Sequence, residues 1–286
     1  MSISSAHFYK TLNIRGRLQP FDRPVVMGIL NITPDSFHAP SRVSSANELV
    51  DRAGKMIADG ASILDIGAQS TRPGATLLSA AEESDRLEAV LNSVCKAFPE
   101  AVISIDTFYA SVARMAVNSG AAIINDISGG DLDPHMFATV AELNVPYILM
   151  HTRGTPQTMH NYCNYDHVVL DVVRELSEKI AQLQLLGVND IIVDPGFGFA
   201  KTLEQNFELM GGLRQFELLN KLILVGISRK GMIWKALNSS PEQALNGTTA
   251  LNMAALMNGA SMLRVHDVKE AVETVELFTR LQSAKI

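Results

Sequence analysis

Apolar runs that end in a polar or charged residue and a Gly- or Pro-bearing loop recur along this chain, separated by stretches with helical periodicity. The clearest is Ile191-Ile192-Val193-Asp194-Pro195-Gly196-Phe197-Gly198-Phe199-Ala200-Lys201, where β-branched residues give way to a carboxylate and then to a flexible aromatic loop. Such a run marks a parallel strand buried on both faces, and the residue at its end is handed to a pocket.

The same phrase returns throughout. Residues 25–30 lead into Asn31 and a polar loop to 42, and residues 62–66 lead into the loop 67–74. Residues 102–105 deliver Asp106 and Thr107, 121–124 deliver Asn125 and Asp126, and 146–150 deliver His151-Thr152-Arg153-Gly154. Residues 222–227 deliver Ser228-Arg229-Lys230, and 261–263 deliver Arg264-Val265-His266.

Helical patterns fill the intervals. One starts at Ser44-Ser45-Ala46-Asn47-Glu48 and runs to about Asp59, where Gly60 ends it. Ser79 and Glu82 have the spacing of a capping box, and long patterns cover 166–186, 203–219, 241–258 and 267–283. Ahead of the first unit, residues 12–24 alternate around Arg15-Gly16-Arg17, which predicts a β-hairpin able to plug one end of a barrel.

Eight strand-then-helix units with no linker between them predict an α/β fold, a closed (β/α)8 TIM barrel. Residues 1–286 read as a single domain, with 1–24 as an N-terminal extension. An open doubly wound sheet would need blunted edge strands, and no Gly-x-Gly-x-x-Gly follows the first strand to suggest a dinucleotide fold.

Composition narrows function more than fold. A hydrophobic fraction of 47% over 286 residues is ample for a core, and a net charge of -6 leaves no overall basic face for a phosphate backbone. Nucleic-acid binding is therefore not expected, whereas a small anion needs only a few local cations. Cys95 and Cys163 lie far apart and form no metal or redox motif. Residues 1–10 lack a basic stretch followed by an apolar one, and no segment approaches ~18 uninterrupted apolar residues. The expectation is a cytoplasmic protein without a membrane partner.

A TIM barrel carries its chemistry at the C-terminal ends of its strands. Asn31, Asp106, Asn125 and Asp194 offer acceptors there, and Arg72, Arg229, Lys230, Arg264 and His266 offer donors or cations. This set suits a flat heterocycle rich in N–H and C=O groups. A buried Asp accepts paired hydrogen bonds from an amino-pyrimidinone edge, and Lys reaches a ring oxygen or nitrogen. Any one strand-end Asp is as readily a helix N-cap, but several at equivalent positions argue for a ligand.

Arg264 and His266 have one residue between them, so both face the same side of the last strand. With Asn31 on the neighbouring first strand they form a seat for an anionic group and a hydrated Mg2+. Ser228-Arg229-Lys230 reads either as a charged surface turn or as a loop that turns Lys230 inward and puts Ser228 near a carboxylate. The loop from Ser70 to Gly74 reads either as an anion-binding cover or as an ordinary Thr-Arg-Pro turn. His38, His135, His160 and His167 read as packing histidines.

Taken in order, Ile29-Leu30-Asn31-Ile32-Thr33-Pro34-Asp35-Ser36-Phe37, Ser70-Thr71-Arg72-Pro73-Gly74, Ser104-Ile105-Asp106-Thr107, Asn125-Asp126, Asp194-Pro195-Gly196-Phe197-Gly198-Phe199, Ser228-Arg229-Lys230 and Arg264-Val265-His266 resemble the dihydropteroate synthase family. The resemblance runs from about residue 20 to the C-terminus. It implies a folate-pathway transferase, a sulfonamide target, that joins 6-hydroxymethyl-7,8-dihydropterin diphosphate to 4-aminobenzoate, giving 7,8-dihydropteroate and diphosphate.

By that resemblance Asp106, Asn125, Asp194 and Lys230 hold the pterin. Asn31 with Mg2+, and Thr71, Arg72, Arg264, Val265 and His266, handle the diphosphate. Thr71, Pro73, Phe199 and Ser228 shape the aminobenzoate site, and Asp35 and Phe37 belong to a mobile loop. Asn31, Lys230, Arg264 and His266 form the implied catalytic set, and a homodimer is implied. The Ala-, Leu- and Met-rich helix over 241–258 reads equally as dimer surface or as packing against the barrel.

The residues agree with such chemistry. Diphosphate leaves readily when neutralised, and the electron-rich dihydropterin stabilises a cation on its exocyclic carbon, so no protein nucleophile is needed. Phe37, Pro73 and Phe199 are expected to keep water from that cation. The chain departs from the family pattern at His38-Ala39-Pro40-Ser41, where a small, Gly-containing continuation is usual, and at Gly67-Ala68-Gln69, where Gly-Gly-Glu is common. Both lie in loops nearest the second substrate, so aminobenzoate affinity and sulfonamide sensitivity have the most room to differ. A pterin-binding methyltransferase would share the strand-end Asp and Asn residues, but would not need the Ser70 and Ser228 motifs together. A catalytically silent pterin binder would have no use for Asn31, Arg264 and His266.

Overall fold

Alternation sets the hairpin at the start of the chain. Strands β1 (Lys10–Ile14) and β2 (Arg17–Phe21) pair antiparallel with Ile14 opposite Arg17. Arg15 (φ 52°) and Gly16 (φ 79°) form the turn, and their left-handed backbone matches the twist of the paired strands. The Arg15 guanidinium donates to the carbonyls of Pro99, Ala101 and Gly120. The hairpin is therefore fastened to the loops that lead into residues 102 and 123, not left as a loose extension.

The structure, a computed structural model, describes residues 10–32, 42–69 and 77–284. Eight parallel strands, β3 (Val25–Asn31), β4 (Ile63–Gly67), β5 (Val102–Asp106), β6 (Ile123–Asp126), β7 (Tyr147–Met150), β8 (Ile191–Asp194), β9 (Leu222–Val225) and β10 (Met262–Val265), close in the order β10-β3-β4-β5-β6-β7-β8-β9. Closure pairs the last strand with the first, so the barrel has no edge to blunt. The TIM barrel and hairpin expected from the apolar runs are both present.

Strand periodicity divides the side chains into two shells. Outward residues such as Leu30, Leu64, Ile105, Ile124, Val193 and Leu263 pack against the surrounding helices. Inward residues Met27, Ile63, Ile123, Ile148, Ile192, Leu224 and Met262 form an interior cluster closed by Leu12 and Ile14 of the hairpin. The plug expected of the hairpin is thus its observed role. Two residues further along the same strands, the inward positions are Asp65, Asn125, Asp194 and Arg264.

The helices are α1 (Arg42–Ala58), α2 (Ala80–Ala97), α3 (Ala110–Asn118), α4 (Met136–Leu143), α5 (Val168–Leu185), α6 (Leu203–Gly211), α7 (Gly231–Ala236), α8 (Leu245–Met257) and α9 (Val268–Ser283). The Ser79 capping box is formed, with Glu82 N–H donating to Ser79 Oγ and Glu82 Oε2 accepting from Ser79 N–H. A second box, Thr202 with Gln205, opens α6.

Two long helical patterns are broken. That over 203–219 splits into α6 and a 3-10 turn, Leu213–Leu219, at Gly211-Gly212. A Cβ at Gly212 would sit 2.6 Å from Val169 Cγ2, so the close approach of α5 requires glycine there. The pattern over 241–258 splits into a 3-10 turn, Pro241–Gln243, and α8. Arg229 Nη1 takes the carbonyls of Pro241 and Glu242 at 3.0 and 2.9 Å and holds that turn apart from α8. Among the described residues no helix is long and apolar enough to cross a membrane.

Candidate active site

Strands β4, β5, β6 and β10 bring one charged cluster together on the inner wall of the barrel mouth. Asp65, fully buried, accepts from Arg264 Nε at 2.6 Å and from Asn125 Nδ2 at 3.1 Å. Arg264 Nη2 donates to Asp106 Oδ2 at 2.7 Å. One guanidinium fork thus bridges two carboxylates, while Asp65 also turns the Asn125 amide. Gly67 is the register partner of Asp106, and a Cβ there would meet Asp106 Cβ at 3.1 Å, so its lack of a side chain makes room for the carboxylate.

Burial raises the Asp106 carboxyl, and Arg264 opposes the rise. Burial also works against the Arg264 cation, but Asp65 and Asp106 reverse that and leave it raised. At these distances the three groups form an ion triad. Asp65 Oδ1 and Ser104 Oγ, both buried, have no hydrogen-bond partner among the described residues.

Across the mouth, Asp194 ends β8 and accepts from Gly196 N–H through Oδ1 at 2.8 Å. Its Oδ2 faces the gap above Gly226. A Cβ at Gly226 would lie 3.9 Å from that oxygen and 3.8 Å from Arg264 Cβ, so glycine keeps a slot open between the two side chains. Lys230 donates to Phe197 O at 2.6 Å and lies 4.6 Å from the Phe199 ring centroid. Burial pushes its ammonium down to about 8, against the pull of Asp194. Burial likewise raises the Asp194 carboxyl, and Lys230 is the chief opposing charge. Phe199 is half-buried and packs on a small cluster of Phe108, Ile127 and Met150. The inward reading of Lys230 is the one the fold adopts.

Arg229 takes the other reading. Its φ is 55°, and its guanidinium donates to Asp267 at 2.8 and 2.9 Å, which makes it a brace between loops. Ser228 was expected near a carboxylate, yet its described partner is His266. Ser228 Oγ accepts from His266 N–H at 3.2 Å and lies 3.0 Å from Nδ1. In the tautomer in which the hydroxyl donates to Nδ1, Nε2 carries the ring hydrogen. Dense packing around the ring, then the Arg264 charge, hold His266 down to about 4, although its outer edge is open to solvent. It is a neutral donor at neutral pH.

Val265 points outward into the shell between barrel and helices, so only its backbone is left for an anion. Asn31 ends β3 beside β10, exposed and without a described side-chain partner. Among the described residues no three His, Cys, Asp or Glu side chains are grouped to hold a metal ion. Asn31 instead offers one hard amide oxygen, which suits a hydrated cation that also leans on a substrate phosphate. Asp35, Phe37, Thr71, Arg72 and Pro73, with the departure at His38-Ala39-Pro40-Ser41, lie outside the described residues.

The departure at Gln69 has a visible consequence. Gln69 Oε1 accepts from Leu78 N–H at 3.1 Å, while its Nε2 donates to Leu78 O at 3.0 Å and to Glu83 Oε2 at 2.7 Å. The amide laces together residues on either side of 70–76. A glutamate here would set a second carboxylate against buried Glu83, whose own carboxyl burial already raises.

Sequence reasoning missed Asp65, although a carboxylate inside the apolar run Ile63-Leu64-Asp65-Ile66 was a signal for it. It placed His151 at a strand end and Lys201 in the loop after Asp194 but gave neither of them, nor Glu175, a role. Lys201 lies 3.1 Å from His151 Nδ1, and His151 Nε2 lies 3.0 Å from Glu175, which also accepts from Arg153.

A family model described as pterin binding enzyme matches residues 27–266. The dihydropteroate synthase of Escherichia coli strain K12 is 41% identical over 273 residues, 95% of this chain and 96% of that protein. The Yersinia pestis dihydropteroate synthase, solved with a sulfonamide drug, superposes with a TM-score of 0.89 at 37% identity, covering 96% of this chain and 100% of that one. The Xanthomonas albilineans enzyme with 4-aminobenzoic acid gives 0.87 at 36% identity, covering 96% and 99%, and with 7,8-dihydropteroate 0.84 at 33%, covering 96% and 100%.

Proposed function

Because the chain belongs to the dihydropteroate synthase family of pterin binding enzymes, we propose that it carries out the family's condensation by dissociative transfer across three adjoining surfaces of the barrel mouth. The reaction joins 6-hydroxymethyl-7,8-dihydropterin diphosphate to 4-aminobenzoate and yields 7,8-dihydropteroate and diphosphate.

The observation that carries the reading is the slot between Asp194 and the Asp106–Arg264–Asp65 triad, with Asn125 and Lys230 at its sides. Asp194 accepts the paired donors of the pterin edge, Asp106 and Asn125 meet the opposite side of the ring, and Lys230 reaches a ring oxygen or nitrogen. Arg264 stays committed to its carboxylates and adds a fixed positive field toward the leaving group. His266 donates through Nε2–H to the diphosphate, with the Val265 backbone, Thr71 and Arg72 in the same role. Asn31 would hold a hydrated Mg2+, and the ion would supply charge neutralisation for the leaving diphosphate.

The carbon–oxygen bond to diphosphate breaks first, leaving a cation that the dihydropterin ring spreads. The arylamine nitrogen then bonds to that carbon and passes a proton to the departing diphosphate. Phe199 and Ser228 wall the arylamine, and by the family resemblance Thr71, Pro73, Asp35 and Phe37, outside the described residues, join them in excluding water that would otherwise trap the cation. The reading extends to a homodimer through the partly exposed Leu245, Leu251, Met253 and Met257 of α8, and to a cytoplasmic setting in which Cys95 and Cys163 stay free.

One assay tests the reading. Purified protein with pterin diphosphate and Mg2+ should release diphosphate only when 4-aminobenzoate is added. Release independent of the arylamine, or none, counts against it.

A further inference from the structure

Lys201 is a buried lysine with no part in the scheme above, at 8% exposure. It follows the turn that carries Phe197 and Phe199. Its Nζ donates to Gly196 O and Phe199 O, both at 3.0 Å, and lies 3.1 Å from His151 Nδ1. These acceptors use all the protons of the ammonium form, which burial, opposed by the Asp194 charge, lowers to about 7. No described carboxylate lies within ion-pair distance of it, so the charge is spent on holding a loop and not on neutralising an acid.

His151 is prepared as an acceptor. Burial, then the Lys201 charge itself, pushes its imidazole down to about 4, so it is neutral at physiological pH. Glu175 faces Nε2 at 3.0 Å and takes the ring hydrogen, which leaves Nδ1 free to receive Lys201. Arg153 donates to the same carboxylate, so the chain Lys201–His151–Glu175–Arg153 anchors the turn to α5.

The turn needs such an anchor. Gly196 (φ 73°), Gly198 (φ 79°) and Ala200 (φ 48°) all adopt left-handed backbone, and Ala200 does so with a Cβ. Gly196 is pressed so close to β7 that a Cβ would come 1.9 Å from His151 O. Asp194 is fixed chiefly by β8 itself, with the Gly196 N–H as its one contact to the clamped turn.

We infer that Lys201 is a positioning residue for the second substrate, clamping the Gly196 and Phe199 carbonyls to His151 and so setting the Phe199 ring against the arylamine. The inference rests on the placement of 4-aminobenzoate beside Phe199 proposed above. Lys201→Met keeps an unbranched side chain one atom shorter and removes its donors. In this variant the KM for 4-aminobenzoate should rise about tenfold, while the affinity for the pterin substrate changes less than about twofold. Amide hydrogen exchange of residues 196–200 should accelerate about tenfold.

Equal losses for both substrates, or an unchanged arylamine KM with unchanged exchange, would overturn the inference. If Lys201→Met does not fold, His151→Ala removes one of the acceptors and should show the same split at about threefold; no split there overturns it equally. A wild-type protein that releases no diphosphate in response to 4-aminobenzoate sinks the proposed reaction. The exchange measurement would then decide the clamp alone.

Discussion

At one end of the barrel, Leu12 and Ile14 of the hairpin close over Ile63, Ile123, Ile192 and Met262. One inward step along the same strands, the wall turns to Asp65, Asn125, Asp194 and Arg264, and the apolar floor becomes an ion triad facing a carboxylate across a slot. The floor stabilises by removing apolar surface from water. The mouth holds buried groups such as Asp65 Oδ1 whose hydrogen bonds are incomplete among the described residues. Stability and recognition are thus separated by a single period of the strand, which makes them separable by mutation.

The sharpest break of that contrast is at Asp194. Charge-assisted hydrogen bonds are worth roughly 1.5–3 kcal/mol each, so Asp194→Ala should weaken pterin binding by about 100-fold or more. The melting temperature should hardly fall. Calorimetric titration beside a thermal melt measures both, and an unchanged affinity would remove Asp194 from the site.

The converse change is at the floor. Leu12→Ala should cost about 2–4 kcal/mol of stability in urea unfolding, the range for large-to-small core substitutions. Pterin affinity should stay within about twofold. A large loss of affinity would mean that the two ends are mechanically coupled.

His151 sits at the mouth yet behaves as part of the frame. Its folded pKa is depressed to about 4 from 6.5, so its contribution to stability is present above about pH 6.5 and lost as pH falls toward 4. Comparing wild type with His151→Gln at pH 7 and pH 5 isolates it from the raised Asp106, whose effect runs the other way. The wild-type advantage should shrink by about 1–2 kcal/mol at pH 5. Parallel losses in both proteins would show that His151 does not carry the dependence.

The smallest effect belongs to Ala200. Its left-handed backbone costs about 1–2 kcal/mol, and glycine adds about 0.4–1 kcal/mol of unfolded-state entropy. Ala200→Gly should therefore stabilise by about 0.5 kcal/mol, read as a shifted denaturation midpoint at constant slope. A clear loss would show that packing of the Ala200 methyl outweighs the backbone strain.

The order of apolar runs and polar ends made the barrel legible, because strand burial on both faces leaves an unmistakable composition. Asp106, Asn125, Asp194 and Lys230 were legible for the same reason, each lying at or just past a strand end. The breaks inside 203–219 and 241–258 were not, because they depend on Val169 crowding Gly212 and on Arg229 capturing distant carbonyls. Ser228 was expected beside a carboxylate, and only the closure of β10 against β9 explains its partner His266.

By itself, then, the chain's local pattern determined which residues are strand, which strands are buried and which polar groups stand at the mouth, since these follow from periods of two and 3.6 read within one segment. Tertiary structure decided the pairings: Arg264 with Asp65 across 199 positions, and Lys201 with His151 across 50. A charge inside a protein is defined by its partners as much as by its type, because burial penalises it until a complementary group arrives. That complement comes from another strand, and no local pattern records which one.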